Sequence, residues 1–150
     1  RDDDLVINLQ GDEPFMPQDL LSKLINVFNK KECDVISAAH PIFNKEDVTN
    51  KNCVKVTINS SGYAEAFERD LSRKLDNTVM RHIGIYGYKY KTLSKIISLE
   101  PTQNELEHKL EQLRFLDNNL SIYMCQYQGE VPPGIDTEED IATAEEYLKI

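Results

Sequence analysis

The sequence has 150 residues, 40% of them hydrophobic and 29% charged, enough for one compact domain with a core and too little for two full ones. Lys plus Arg number 17 against 26 Asp plus Glu, a formal charge of −9, so no overall field draws the chain to nucleic acid or an anionic membrane. No apolar run approaches the ~20 residues needed to span a bilayer, and Cys33, Cys53 and Cys125 lack the paired spacing of a zinc or redox motif. These features fit a soluble cytoplasmic protein with buried, inert thiols. The chain opens on Arg1-Asp2-Asp3-Asp4 without Met and runs straight into apolar residues, so it reads as a piece of a larger protein.

Leu5-Val6-Ile7-Asn8-Leu9 is a nearly continuous apolar run, which predicts a strand buried on both faces, ended by Gln10-Gly11-Asp12-Glu13-Pro14. Pro17 and Asp19 suit a first helical turn, and Leu20, Leu21, Leu24, Ile25 and Phe28 then recur on one stripe. Val35 to Ala39 predicts a second strand, stopped before Pro41, and the three elements make a βαβ unit. Val54, Val56 and Ile58 alternate with polar residues, Asn59-Ser60-Ser61-Gly62 supplies turn chemistry, and Tyr63 to Phe67 alternates again, as in a hairpin. Asp70 to Asn77 has no clean period and reads as a loop.

Arg81 to Tyr88 predicts a strand, and Leu93, Ile96 and Ile97 a short helix after it. Thr102 and Glu105 form a capping box opening a helix with Leu106, Leu110 and Leu113 inward. Ser121 to Tyr127 predicts a strand, Val131-Pro132-Pro133-Gly134 an extended turn, and Thr137 with Asp140 the cap of a last helix bearing Ile141, Ala144 and Leu148 on one side. The sum is an α/β domain with a mixed, mainly parallel sheet flanked by helices and an inserted β-hairpin.

Ligands of open α/β sheets sit at the carboxyl ends of strands, which is where Gln10, Gly11 and Asp12 fall. Gly11 can take backbone shapes that other residues resist. Asp12 suits either a hard divalent cation or a turn in which its carboxylate bonds its own backbone. Asp136 recurs in a comparable setting before the Thr137 cap, where it can join such a cation or simply favour the positive end of the helix. Two glycines in the strand at 84 and 87 mark close approach by a backbone or ligand, and His82 beside them can hydrogen-bond a polyol or carboxylate or be satisfied by the backbone. Glu111 and Gln112 can line a cleft or face solvent, and Arg69 can grip a carboxylate or lie on the surface. His40 and His108 have no metal-ligand spacing, and no G-x-S-x-G nucleophile elbow occurs.

Asn8 to Pro14, Ala39-His40-Pro41-Ile42, Val54-Lys55-Val56 with Gly62-Tyr63-Ala64, Arg81 to Tyr88, Leu110-Glu111-Gln112-Leu113-Arg114 and Gly134 to Asp140 stand in an order that resembles the later part of the 3-deoxy-manno-octulosonate cytidylyltransferases, the CMP-Kdo synthetases of Gram-negative bacteria. The resemblance implies a Rossmann-like nucleotide-diphospho-sugar transferase fold. It implies transfer of CMP from CTP to 3-deoxy-D-manno-octulosonate (Kdo), with release of pyrophosphate, in lipopolysaccharide biosynthesis. It also implies that Asp12 and Asp136 are the catalytic pair holding Mg²⁺, that Gln10 and Gly11 meet the nucleotide, and that Arg69, His82, Tyr86, Glu111 and Gln112 surround the sugar. A cytoplasmic homodimer is the expected assembly.

The family's basic phosphate-cradling loop is not found upstream of these motifs, Glu68 replaces a usual serine, Asp70 to Asn77 depart from a usual Ile-Pro stretch, and His108 replaces an acidic residue. The alternatives are therefore a cytidylyltransferase for another acidic sugar, an 8-amino-Kdo or a sialic-acid-like one, and a non-catalytic fragment keeping only sugar-binding and dimerisation surfaces.

Overall fold

The alternating segment around His82 becomes the strand on which the sheet assembles. A computed structural model of the chain describes residues 1–42, 45–71, 74–132, 134–135 and 137–149. Its elements are β1 (Leu5–Leu9), α1 (Gln18–Phe28), β2 (Val35–Pro41), α2 (Lys45–Thr49), β3 (Lys55–Ile58), β4 (Ala64–Glu68), β5 (Val79–Lys89), α3 (Tyr90–Ile96), α4 (Gln103–His108), α5 (Gln112–Asp117), β6 (Ile122–Gln126) and α6 (Glu138–Tyr147). The six-stranded sheet has the order β4-β3-β5-β2-β6, with β1 also on β5. β5 is 11 residues long, so β3 pairs with its start and β1 with its end, while β2 pairs with it from Met80 to Tyr88.

The pairings of β1, β2 and β3 with β5 are antiparallel and β2–β6 is parallel. Hence β1, β2, β3 and β6 run one way and β4 and β5 the other. The parallel majority lies in strand direction; among described neighbours only β2 and β6 lie side by side in parallel, because β5 separates β2 from β1 and β3. The βαβ unit accordingly spans an intervening strand.

Alternation sends side chains to two cores. Val35, Ala39, Tyr86, Tyr88 and Ile122 pack with Leu110 and Phe115 on one face, and Ile36, Ala38, Ile83 and Ile85 pack with Leu20, Leu24 and Phe28 of α1 on the other. β2 is buried on both faces, as its apolar run requires, and extends through Pro41, which pairs at the strand end where a missing N–H is tolerated. β1 departs from the sequence reading: its residues are only half-buried or exposed, with Leu9 50% exposed, because among the described residues it pairs on one edge alone.

The hairpin forms as expected, with Gly62 at φ +91 in its turn. The helix opened by Thr102 is cut in two instead. Lys109 is left-handed (φ 53, ψ 48), which ends α4, turns Leu110 into the core and leaves Leu106 67% exposed. Glu105 holds this corner, accepting from Arg114 Nε at 2.7 Å while completing the capping box with Thr102. The Thr137–Asp140 box is also present, although only Ala144 of the expected α6 stripe is buried and Ile141 and Leu148 are exposed. Ile25 of α1 is likewise exposed. Cys33 and Cys125 are buried and Cys53 half-buried, all three free, and burial pushes each thiol up, Cys33 to about 11.

Candidate active site

The ladder between β2 and β5 breaks where the site forms. Ser37 faces Tyr86 and Ala38 faces Ile83, so Gly84 and Ile85 are extra residues on β5. A methyl group at position 84 would lie 3.1 Å from Gln10 Oε1 and 3.5 Å from Glu13 Oε1, so the bare backbone of Gly84 is what lets the polar ends of the β1 loop close over the sheet. Gly87 serves packing instead: a methyl there would meet Ile36 Cγ2 at 2.8 Å. Gly11 has no positive φ and nothing within 4 Å of a would-be side chain, so neither backbone shape nor packing demands glycine there, contrary to the sequence reading.

Alternation places Ser37, His82, Tyr86 and Tyr88 on one face with Gln10 beside them. The His82 ring lies 5.2 Å from Phe67 and 5.5 Å from Tyr86, and Tyr86 stacks on Tyr88 at 6.2 Å. Burial holds His82 down at about 4, so the imidazole is neutral at pH 7. Burial also pushes Tyr86 and Tyr88 well above the usual phenol range, each reinforced by the negative charge of Glu111, while a hydrogen bond with Asn8 opposes the shift at Tyr88. Gln10, His82, Tyr86 and Glu111 are thus gathered around one strip of sheet.

Arg69 reaches the same side differently. Its guanidinium donates to the main-chain oxygens of Lys51 (3.2 Å) and Lys109 (3.1 Å), which ties the hairpin to the α4–α5 corner and, among the described residues, uses two of its five N–H groups. The buried Lys55 ammonium holds the Arg69 carbonyl at 2.8 Å and so fixes the backbone behind it. Gln112 is buried at the start of α5 while Glu111 is exposed beside it. Asn8, Glu13, Ser37 and Tyr88 were missed in the sequence, although the alternation of Val6, Asn8 and Gln10 and the lone polar residue inside Val35 to Ala39 both mark this face.

Asp12 is exposed at the tip of the loop after β1, and its main-chain oxygen accepts from the Ile135 N–H at 2.7 Å. A methyl group on Gly134 would come within 3.0 Å of that oxygen and 3.4 Å of the Glu13 carboxyl carbon. The loop after β1 and the segment before α6 therefore meet, with oxygen donors of the kind a hard cation takes. Among the described residues no cluster of three His, Cys, Asp or Glu side chains forms. Asp136 lies outside the described residues.

The mixed α/β sheet with this site at a strand end matches a nucleotidyltransferase fold. A solved CMP:2-keto-3-deoxy-manno-octonic acid synthetase complexed with CTP matches with a TM-score of 0.88 at 26% identity, over 97% of this chain and 62% of its own. A 4-diphosphocytidyl-2C-methyl-D-erythritol synthase from Anaerococcus prevotii shares the fold alone, with a TM-score of 0.57 at 18% identity over 97% of this chain and 59% of its own. The family model described as cytidylyltransferase matches residues 1–122, and the chain belongs to that family. Among its relatives are 3-deoxy-manno-octulosonate cytidylyltransferases of Rickettsia canadensis, 37% identical over 93% of this chain, and Rickettsia massiliae, 34% identical over 96%. The chain spans 56% and 58% of the length of these two relatives.

Proposed function

We propose that the chain carries the sugar-binding and metal-binding part of a Mg²⁺-dependent cytidylyltransferase that transfers CMP from CTP to Kdo, giving CMP-Kdo and pyrophosphate. The observation that carries this reading is the closure of Gln10 and Glu13 over Gly84, beside His82 and Tyr86, at the strand end where Asp12 meets the segment before α6. The Rickettsia relatives supply the sugar.

In this proposal the anomeric hydroxyl of Kdo attacks the α-phosphorus in line and pyrophosphate leaves opposite, so the residues act mainly by alignment. Neutral His82 and the Glu111 carboxylate accept hydrogen bonds from sugar hydroxyls, and the aromatic floor of Tyr86 keeps water from that side. The remaining N–H groups of Arg69 suit the sugar carboxylate. Gln10 and Gly11 meet the nucleotide, Gln112 lines the sugar site with Glu111, and Asp12 with Asp136 would hold Mg²⁺. At those carboxylates a divalent cation would supply charge neutralisation for phosphoryl transfer and a lowered pKa for the attacking hydroxyl. A cytoplasmic homodimer is part of the same reading and is tested by sedimentation.

The experiment is pyrophosphate release by the full-length enzyme from CTP with Kdo, an 8-amino analogue and sialic acid in parallel. Turnover with Kdo at the highest kcat/KM is expected; absence of turnover with Kdo at any Mg²⁺ concentration overturns the reading. In the full-length enzyme Asp12→Asn and Asp136→Asn are each expected to lower kcat by at least ~100-fold, as loss of a metal-holding carboxylate does. Near-normal kcat in either variant removes that residue from the site.

A further inference from the structure

We infer that Ser37 is a positioning residue that holds His82 in the Nε2–H tautomer and so presents Nδ1 as a hydrogen-bond acceptor for a sugar hydroxyl. The acceptor role rests on the sugar-binding reading above; the tautomer does not. Ser37 is fully buried in the middle of β2, a polar residue among apolar ones. Its hydroxyl lies 2.8 Å from the Ile85 main-chain oxygen, 3.4 Å from that of Ile83 and 2.8 Å from His82 Nε2.

A hydroxyl has one hydrogen and two lone pairs. The two carbonyls can only accept, so the Ser37 hydrogen goes to them, at the shorter distance to Ile85. His82 Nε2 is then the one neighbour able to donate to Ser37 Oγ, and in a neutral ring that leaves Nδ1 without a proton. Burial, which keeps the ring neutral, supports this assignment. His82 Nδ1 has no partner among the described residues, and none of their buried side-chain nitrogen or oxygen atoms lacks one, so Nδ1 reaches the surface.

The break in the β2–β5 ladder links this arrangement to the fold. The extra residues Gly84 and Ile85 place the Ile83 and Ile85 carbonyls within reach of one hydroxyl. The same break supplies the gap over Gly84 that Gln10 and Glu13 fill. One irregularity thus sets both the loop over the site and the proton on its histidine.

The test is a long-range proton–nitrogen correlation spectrum of ¹⁵N-histidine-labelled protein at neutral pH, with His82 assigned by His82→Gln. A pyrrole-type Nε2 and pyridine-type Nδ1 are expected in the wild type; the reverse overturns the proposal without need of any variant. Ser37→Ala is expected to mix the tautomers and weaken Kdo binding about fivefold, the scale of one neutral hydrogen bond, while Ser37→Thr, which keeps the hydroxyl, restores both. An unchanged tautomer in Ser37→Ala also overturns it. If the wild type shows the expected tautomer but Kdo moves neither nitrogen resonance, the sugar reading and the acceptor role fall while the tautomer assignment stands.

Discussion

Gly84 and Gly87 sit three positions apart on one strand and answer to different neighbours. A methyl at 87 meets Ile36 Cγ2 at 2.8 Å with Leu5 and Leu24 close behind, so Gly87→Ala is expected to destabilise the fold by about 1–3 kcal/mol in denaturant titrations. A methyl at 84 meets the flexible end of Gln10, so Gly84→Ala is expected to shift Tm by less than about 2 °C yet raise the substrate KM several-fold. Equal loss of Tm in the two variants would contradict this division. His82 adds a pH dependence. Its folded pKa of about 4 lies below the ordinary 6.5, so between those values the unfolded chain binds a proton that the folded chain does not. Stability present above pH 6.5 is therefore lost as pH falls toward 4, by on the order of 2–3 kcal/mol. His82→Gln is expected to lack that part of the slope between pH 7 and pH 4.5, measured by urea unfolding.

At the scale of elements, the corner between α4 and α5 positions Glu111 and receives Arg69 through the Lys109 carbonyl. It depends on Glu105, whose carboxyl is held below the usual range chiefly by its hydrogen bonds to Arg114, with both side chains largely buried. Arg114→Met leaves that carboxylate without its partner and is expected to cost about 3 kcal/mol at pH 7. The cost shrinks in acid, because the wild-type pair loses its contribution as pH falls through the lowered Glu105 value. An equal cost at pH 7 and pH 3 would refute the ion pair as the cause. Both helix caps, the hairpin turn and the central part of β5 are written in local signals and were legible in the sequence, while β5 runs two residues earlier and one later than its alternation marks. The left-handed Lys109 and the half-exposure of β1 were not, because Leu110's place in the core and the number of neighbours beside β1 are set by distant segments. The site divides likewise. Gln10, His82, Tyr86 and Glu111 are candidates that local motifs single out, whereas the two carbonyls that hold Arg69 and the hydroxyl that holds His82 come from residues 18 to 45 positions away.

At the scale of the 150 residues together, the formal charge of −9 bears on how the anionic nucleotide and acidic sugar of the proposed reading would arrive. Of the described cations near the site, Lys55 donates to two carbonyls and Arg69 in part to two more. Lys51 pairs with Asp70 and Lys91 with Asp3. On the proposed reading the net long-range field of these residues is repulsive, and affinity comes from short-range contacts at the strip of sheet. Salt distinguishes the two. The screening length falls from ~30 Å at 0.01 M to ~8 Å at 0.15 M ionic strength, which removes a repulsive field but barely touches contacts made at hydrogen-bond distance. At saturating Mg²⁺, the KM for CTP is expected to stay level or fall up to about twofold over that range, because screening relieves repulsion. A surface that gathered phosphates through many lysines and arginines would instead lose affinity steeply with salt. A tenfold rise in KM would mean that a local cationic cluster outweighs the acidic whole.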